Sequence, residues 1–187
     1  MSDTQSIVTT PEQQRELERF YYHEARLLDS RQYMQWLTLL SPDIRYSIPA
    51  RVNVQVNNRD RGNEGMIAVE RELETVESMG SPLRDETYIL LMVRAERAYK
   101  INSWSENPPP RTRRIIGNVE LMARDGDSLD VLSNFHMHYA RPGNEGATYS
   151  GQRRDTLVKS EQGFLITRRE VVFDYANIEV PTLGLFF

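Results

Sequence analysis

The chain contains no cysteine, so it can hold neither a disulfide nor a thiolate-ligated metal, iron–sulfur clusters included. Histidine is scarce too, at three in 187 residues, which leaves few candidates for a general base or a metal ligand. No run reaches the ~18 consecutive apolar residues of a membrane span. Residues 1–10 lack the basic start and apolar stretch of a signal peptide, and their polar character predicts a flexible N-terminus. A cytoplasmic protein is the resulting expectation. With a net charge of −4 the chain offers no electrostatic footprint for nucleic acid. There is no G-x-S-x-G elbow, no phosphate-binding glycine loop and no H-E-x-x-H. Repeats and low-complexity tracts are absent as well. The length suits a single domain, 1–187, with a sizeable core.

What is present is ordered by periodicity. Thr10-Pro11-Glu12-Gln13 reads as a capping box with proline at the first helical position. Leu17, Tyr21, Glu24 and Leu28 then share one helical stripe, flanked by Phe20 and Leu27. A second helix is predicted from the Asp29-Ser30 cap through Tyr33, Trp36, Leu37 and Leu40, ending at Ser41-Pro42-Asp43. Ile44, Tyr46 and Ile48 alternate, as do Val52, Val54 and Val56, which predicts two short strands. Met66, Val69, Leu73 and Val76 have helical spacing, and Asp85 is a candidate cap for a helix reaching about Tyr99, with Tyr88, Leu91, Met92 and Ala95 buried. Beyond residue 110 the pattern becomes β. Alternation runs through Ile115, Gly117, Val119, Leu121 and Ala123, then Leu129 to Tyr139, Tyr149 to Val158, and Leu165 to Phe173, with turn signals between. Helices first and a long antiparallel meander last predict an α+β fold, with helices covering one face of a curved sheet.

The most distinctive segment is Trp104-Ser105-Glu106-Asn107-Pro108-Pro109-Pro110-Arg111-Thr112-Arg113-Arg114. Three successive prolines cannot sit in a helix interior or a central strand, so they form a stiff, extended spur. Trp104, Arg111 and Arg113 on such a spur are residue types that dominate protein–protein hot spots, although a solvated surface loop is the plainer alternative.

That segment resembles the W-x-E-x-P-P-x-R-T-R loop of the small (beta) subunits of aromatic-ring-hydroxylating dioxygenases. Phe20-Tyr21-Tyr22-His23-Glu24-Ala25-Arg26-Leu27-Leu28-Asp29, followed by Tyr33 and Trp36-Leu37, resembles the same family's F-x-x-x-E-A-x-L-L-D…W-L opening. Asn118-Val119 is similar to its N-V pair, and the Leu185-Phe186-Phe187 ending is similar to its tail. The matches run in order from Phe20 to Phe187. Pro110 and Arg114 depart from the pattern, standing in place of a small polar residue and a histidine, and residues 57–81 match no part of it. The resemblance implies a cone-shaped, nuclear-transport-factor-two-like (cystatin-like) fold. It also implies a small subunit of a Rieske non-heme iron oxygenase without a cofactor or active site of its own. A large (alpha) subunit would hold the Rieske [2Fe-2S] cluster and the mononuclear iron that adds dioxygen to an arene to give a cis-dihydrodiol. Electrons would come from NAD(P)H through separate components. Self-association as a trimer within an alpha3beta3 hexamer is the implied assembly.

Two other function classes stay open at this point. A stand-alone cone-fold isomerase or dehydratase could use His136 or His138, which share one face of a strand, or a buried carboxylate; Asp130 and Glu120 interrupt strands, but on faces that also carry other polar residues. The plainer reading puts both histidines on the less apolar side of the sheet, makes His23 a hydrogen-bonded, partly buried residue, and treats Arg168, Arg169 and Glu170 as a solvated or interfacial charge row. A homo-oligomeric ligand-binding module is the other alternative. The tail over 180–187 is strongly apolar. Leaving Leu185, Phe186 and Phe187 in water would forgo about 1.5–3 kcal/mol each, so the tail is expected to dock, either within the subunit or at an interface. Trp104, Pro108, Pro109, Pro110, Arg111, Arg113, Leu185, Phe186 and Phe187 are thus the candidate subunit-interface residues.

Overall fold

A computed structural model describes residues 9–56, 59, 62–76, 78–100, 108–143, 145–161, 163–176 and 184–187. Helix α1 spans Pro11–Asp29 and begins on the expected capping box: the Thr10 hydroxyl accepts from the Gln13 N–H at 3.2 Å, and the Gln13 side chain accepts from the Thr10 N–H at 3.4 Å. Its buried stripe is Leu17, Phe20, Tyr21, Glu24, Ala25, Leu27 and Leu28. Helix α2 covers only Tyr33–Trp36, and a 3-10 turn at Leu37–Leu39 runs straight into strand β1, Leu40–Ile48. The predicted second helix is therefore shorter than its pattern. Pro42 disfavours helical backbone at Ser41, and the chain is already extended at Leu40.

The segment that follows also departs from its pattern. Strand β2 is only Ala50–Arg51, pairing with β3, Leu73–Glu74; Val52, Val54 and Val56 lie outside any strand. In place of a helix over 66–76 there are 3-10 turns at Glu64–Ile67 and Val69–Glu72. A short helix needs a packed apolar face to persist, and Ile67, Val69 and Val76 remain exposed. Asp85 caps no helix. It lies in β4, Arg84–Thr87, bonded to Arg45 at 3.2 Å, and α3 starts three residues later at Tyr88–Arg97.

The meander is β5 (Arg111–Asp125), β6 (Ser128–Ala140), β7 (Ala147–Ser160) and β8 (Gly163–Phe173). The sheet order is β4-β1-β8-β7-β6-β5, antiparallel except for β1 beside β8. Long strands curl around α1 to make a cone whose concave face is the core. Gly151 marks one tight point: a Cβ there would lie 2.2 Å from the Val172 carbonyl oxygen and 3.1 Å from the Phe135 ring.

The alternation in β5 is not continuous. Arg114 and Ile116 face the core, then Val119 and Leu121 do, while Ile115 is 67% exposed. The phase changes because the register shifts between Gly117 and Glu120, with Asn118 at φ 50 forming a bulge. Asparagine tolerates this left-handed conformation better than most residues. The bulge also aims the Val119 carbonyl at α1, where it accepts from the Gln14 side chain at 2.8 Å. A similar shift, where β8 pairs with β7 between Thr156 and Leu157, moves the buried row from Phe164 and Ile166 to Arg169, Val171 and Phe173.

Asn118→Gly is expected to leave stability nearly unchanged. Asn118→Val should lower it by about 1–2 kcal/mol, the cost of a β-branched side chain in left-handed backbone. Urea unfolding of the two variants checks this, and equal losses would mean that the side chain, not the backbone, matters.

Candidate functional site

The inward row of β7 reads Tyr149, Gly151, Arg153, Asp155, Leu157, with two charged residues in the middle of an apolar face. Arg169 lies beside them on β8, and Glu24 descends from α1. Arg169 grips both carboxylates: its Nε and Nη2 donate to Asp155 at 2.8 and 2.7 Å, and its Nη1 and Nη2 donate to Glu24. Arg153 Nη1 donates to Glu24 at 3.1 Å, the Trp36 indole N–H to Glu24 at 3.0 Å, and the Tyr21 hydroxyl to Asp155 at 2.9 Å. Glu24, Arg153 and Arg169 have no solvent exposure at all. Two guanidiniums against two carboxylates leave the group formally neutral, which is what allows it to be buried.

Burial resists the charge on Glu24, but Arg169 and then Arg153 override it and hold the carboxyl at about 2. Burial also opposes the charge on Arg169, yet Asp155 and Glu24 raise its pKa well above the ordinary arginine value. Tyr21 is pushed up by burial and by Asp155. A carboxylate held ionised this firmly, with both oxygens bonded, is not available to donate a proton near neutrality. The cluster therefore acts as a tie between helix and sheet, not as an acid–base pair.

The tail closes the same space. Phe187 lodges among Phe173, Tyr149 and Phe135, with ring centroids 4.7, 5.8 and 5.9 Å away. Its N–H donates to the Tyr46 hydroxyl at 3.0 Å; that hydroxyl and Arg169 donate to its main-chain oxygen at 3.1 and 3.2 Å. Phe186 packs 4.4 Å from Trp36 and lies under the Arg94 guanidinium at 4.2 Å. The expectation that Leu185, Phe186 and Phe187 are interface residues is thus corrected. They are buried within their own subunit, because the cone supplies the aromatic and arginine partners that an interface was expected to supply. Residues 180–183 lie outside the described residues.

The spur and the first helix meet at one junction. Asp29, at the end of α1, accepts from the Thr112 hydroxyl and the Arg114 N–H, both at 2.9 Å, and is also paired with the Arg114 side chain. Arg114 Nη2 reaches the Phe186 carbonyl, and Arg31 Nε donates to the Pro110 carbonyl at 3.0 Å. Pro110 is buried, whereas Pro108, Pro109, Arg111 and Arg113 are exposed. Trp104 lies outside the described residues. Arg113 pairs in register with His138, and Ile115 with His136, so these side chains share the outer face of the sheet. That face ends at β5, a 15-residue edge strand.

Both strand histidines are exposed, opposite the buried Phe135, Met137 and Tyr139. His23 is also exposed, not partly buried. It borders a surface recess of about 650 Å³ with Phe20 and Thr38. Asp130 and Glu120 point outward, Asp130 accepting from Thr156. Arg169 is the other correction: it is no part of a solvated charge row, because the register shift in β8 turns it inward. Among the described residues, no three His, Cys, Asp or Glu side chains form a group that could hold a metal. Periodicity placed Glu24 on an apolar stripe, and the inward parity of Arg153 and Asp155 was available from β7. What it did not supply was their mutual pairing.

The family model described as ring hydroxylating beta subunit matches residues 23–179. The chain is 32% identical over 180 residues to the benzene 1,2-dioxygenase subunit beta of Pseudomonas putida, spanning 95% of this chain and 90% of that one. It is 31% identical over 189 residues to the biphenyl 2,3-dioxygenase subunit beta of Rhodococcus jostii, covering 98% and 94%. A solved structure of naphthalene 1,2-dioxygenase with indole bound superposes with a TM-score of 0.79 at 23% identity, covering 97% of this chain and 89% of that one. The shared architecture is the cone-shaped fold anticipated above.

Glu24→Gln keeps the shape but leaves the cluster one positive charge in excess, and should cost about 3–5 kcal/mol at neutral pH. The pH dependence has a definite sign. Because the folded Glu24 carboxyl sits at about 2, below its ordinary 4.5, the unfolded chain binds the proton first on acidification. Its stabilisation is complete above pH 4.5 and is lost as pH falls toward 2. Urea unfolding from pH 7 to 2 should show a steeper acid loss in the wild type than in the variant; parallel curves would contradict the assignment.

Proposed function

This chain belongs to the ring-hydroxylating beta-subunit family and is the small subunit of an aromatic ring-hydroxylating dioxygenase; we propose that it serves as a structural partner without an active site of its own. The observation that carries this reading is the filled cone. Where an acid–base enzyme of this fold would need an open cavity, Phe186 and Phe187 occupy the space and Glu24 is locked in ion pairs. That also weighs against the stand-alone isomerase or dehydratase reading.

A Rieske cluster requires two cysteines and two histidines, and this chain has no cysteine, so its residues do not fit that group. The cluster and the mononuclear iron belong, in this proposal, to the large subunit, which would receive NAD(P)H-derived electrons from separate components. It would also bind the arene, of the class named for the benzene and biphenyl relatives, and form the cis-dihydrodiol. The proposed assembly is an alpha3beta3 hexamer in the cytoplasm. Within it, the outer rim formed by Pro108, Pro109, Arg111 and Arg113, with Trp104 preceding it, faces another subunit. Exposed arginines and Ile115 along β5, which pairs on one side only among the described residues, support that role.

Changing Arg111 and Arg113 together to alanine should weaken the co-expressed hexamer while leaving the melting of the isolated chain within a few degrees. Light scattering after size-exclusion chromatography reads the first and a thermal melt the second; unaltered assembly would remove the rim from the interface. In the assembled oxygenase, His136→Ala and His138→Ala should each keep turnover per iron within about tenfold, or ~1.4 kcal/mol of barrier. A loss of several orders of magnitude with intact assembly would instead place chemistry in this chain.

A further inference from the structure

We propose that the interior of the cone is an aryl-binding site, and that the chain's own Phe187 occupies it as a tethered ligand. The contacts of Phe187 have the form of a ligand pose. Its ring is held edge-on by Phe173 and Tyr149 and tilted against Phe135, which gives an apolar aromatic slot on three sides. Its polar atoms meet fixed groups at the slot's inner end, where the Tyr46 hydroxyl both accepts and donates and Arg169 donates. Concave, mostly apolar sites with a few convergent polar groups are the general form of small-molecule sites.

A second observation is independent of the tail's own bonds. The Tyr149 hydroxyl, the Ser133 hydroxyl, and Nε and Nη2 of Arg153 are buried and have no hydrogen-bond partner among the described residues. Arg153 and Ser133 are fully buried register partners on β7 and β6, and Arg153 lies over the Phe135 ring that also borders Phe187. Buried donors left over after packing are costly, and they add hydrogen-bonding capacity that the phenylalanine does not use.

The ligand class follows from the geometry. The ring slot takes a single unfused phenyl group. The hydrogen-bonding end takes a group that both donates and accepts, as the Phe187 main chain does there. An aryl-alkyl amide has both features, and 3-phenylpropanamide spaces its carbonyl from the ring by the same number of bonds as Phe187 does.

Two variants of the chain test this, one a deletion and one a substitution. Deleting Phe187 opens both the ring slot and the polar end, and that variant should bind 3-phenylpropanamide saturably by titration calorimetry. Its melting temperature should rise with ligand concentration, as a site present only in the folded state requires. Phe187→Ala leaves the main chain in place and opens the ring slot alone, so it should bind toluene while taking the amide more weakly than the deletion does. Wild type should bind neither. If a variant is unfolded at 25 °C, the expected result is recovery of the folded circular-dichroism signal on adding its ligand. Saturable binding to wild type equal to that of the variants would overturn the proposal. So would folded variants that bind nothing at millimolar ligand, or unfolded ones that no ligand rescues. This test does not depend on the subunit assignment, since it needs neither the large subunit nor turnover.

Discussion

The neutral four-charge group of Glu24, Arg153, Asp155 and Arg169 is the constraint on which the rest of this molecule depends. Charges with no solvent exposure survive only when every one is compensated, so the positions of α1, β7 and β8 are coupled through this one point. The register shift that turns Arg169 inward is a geometrical condition for the same pairing. Trp36 and Tyr21 complete it from the helical side. Apolar packing supplies most of the stabilisation, and the cluster selects which packing is acceptable.

This arrangement explains why two segments about eighty residues apart carry related sequence features. The acidic residues of the first helix, Glu24 and Asp29, are the acceptors. Thr112 and Arg114, after the proline spur, are donors to Asp29, and Arg114 continues to the tail through Phe186. The helix, the spur and the C-terminus thus converge on one side of the cone. A cone filled by its own tail leaves the outer surface for contacts, which is consistent with the structural role proposed above.

Much of the architecture was legible in the sequence, because cap, stripe and alternation are local. The capping box at Thr10, the stripe of α1 and the inward row of β6 follow directly from residue order. Ile115 did not follow, because a single left-handed residue at Asn118 changes which parity is buried. Arg169 was misplaced for the same kind of reason, since a register shift is set by the partner strand. The tail shows a different limit: its hydrophobicity required burial, but only the three-dimensional arrangement of Tyr46, Trp36 and Phe173 decides that the burial is internal. The helical spacing over 66–76 misled because periodicity needs a surface to pack on, and that stretch has little.

A double-mutant cycle between Glu24 and Arg169 tests the central claim most directly. Glu24→Gln or Arg169→Met alone leaves the buried group with a net charge, whereas the pair together leaves Arg153 facing Asp155 and restores neutrality. Urea unfolding of the four proteins at pH 7 should give a double variant more stable than the sum of the single losses predicts, by about 2 kcal/mol. Losses that add to within about 0.5 kcal/mol would contradict the account, because the two side chains would then be stabilising the fold independently.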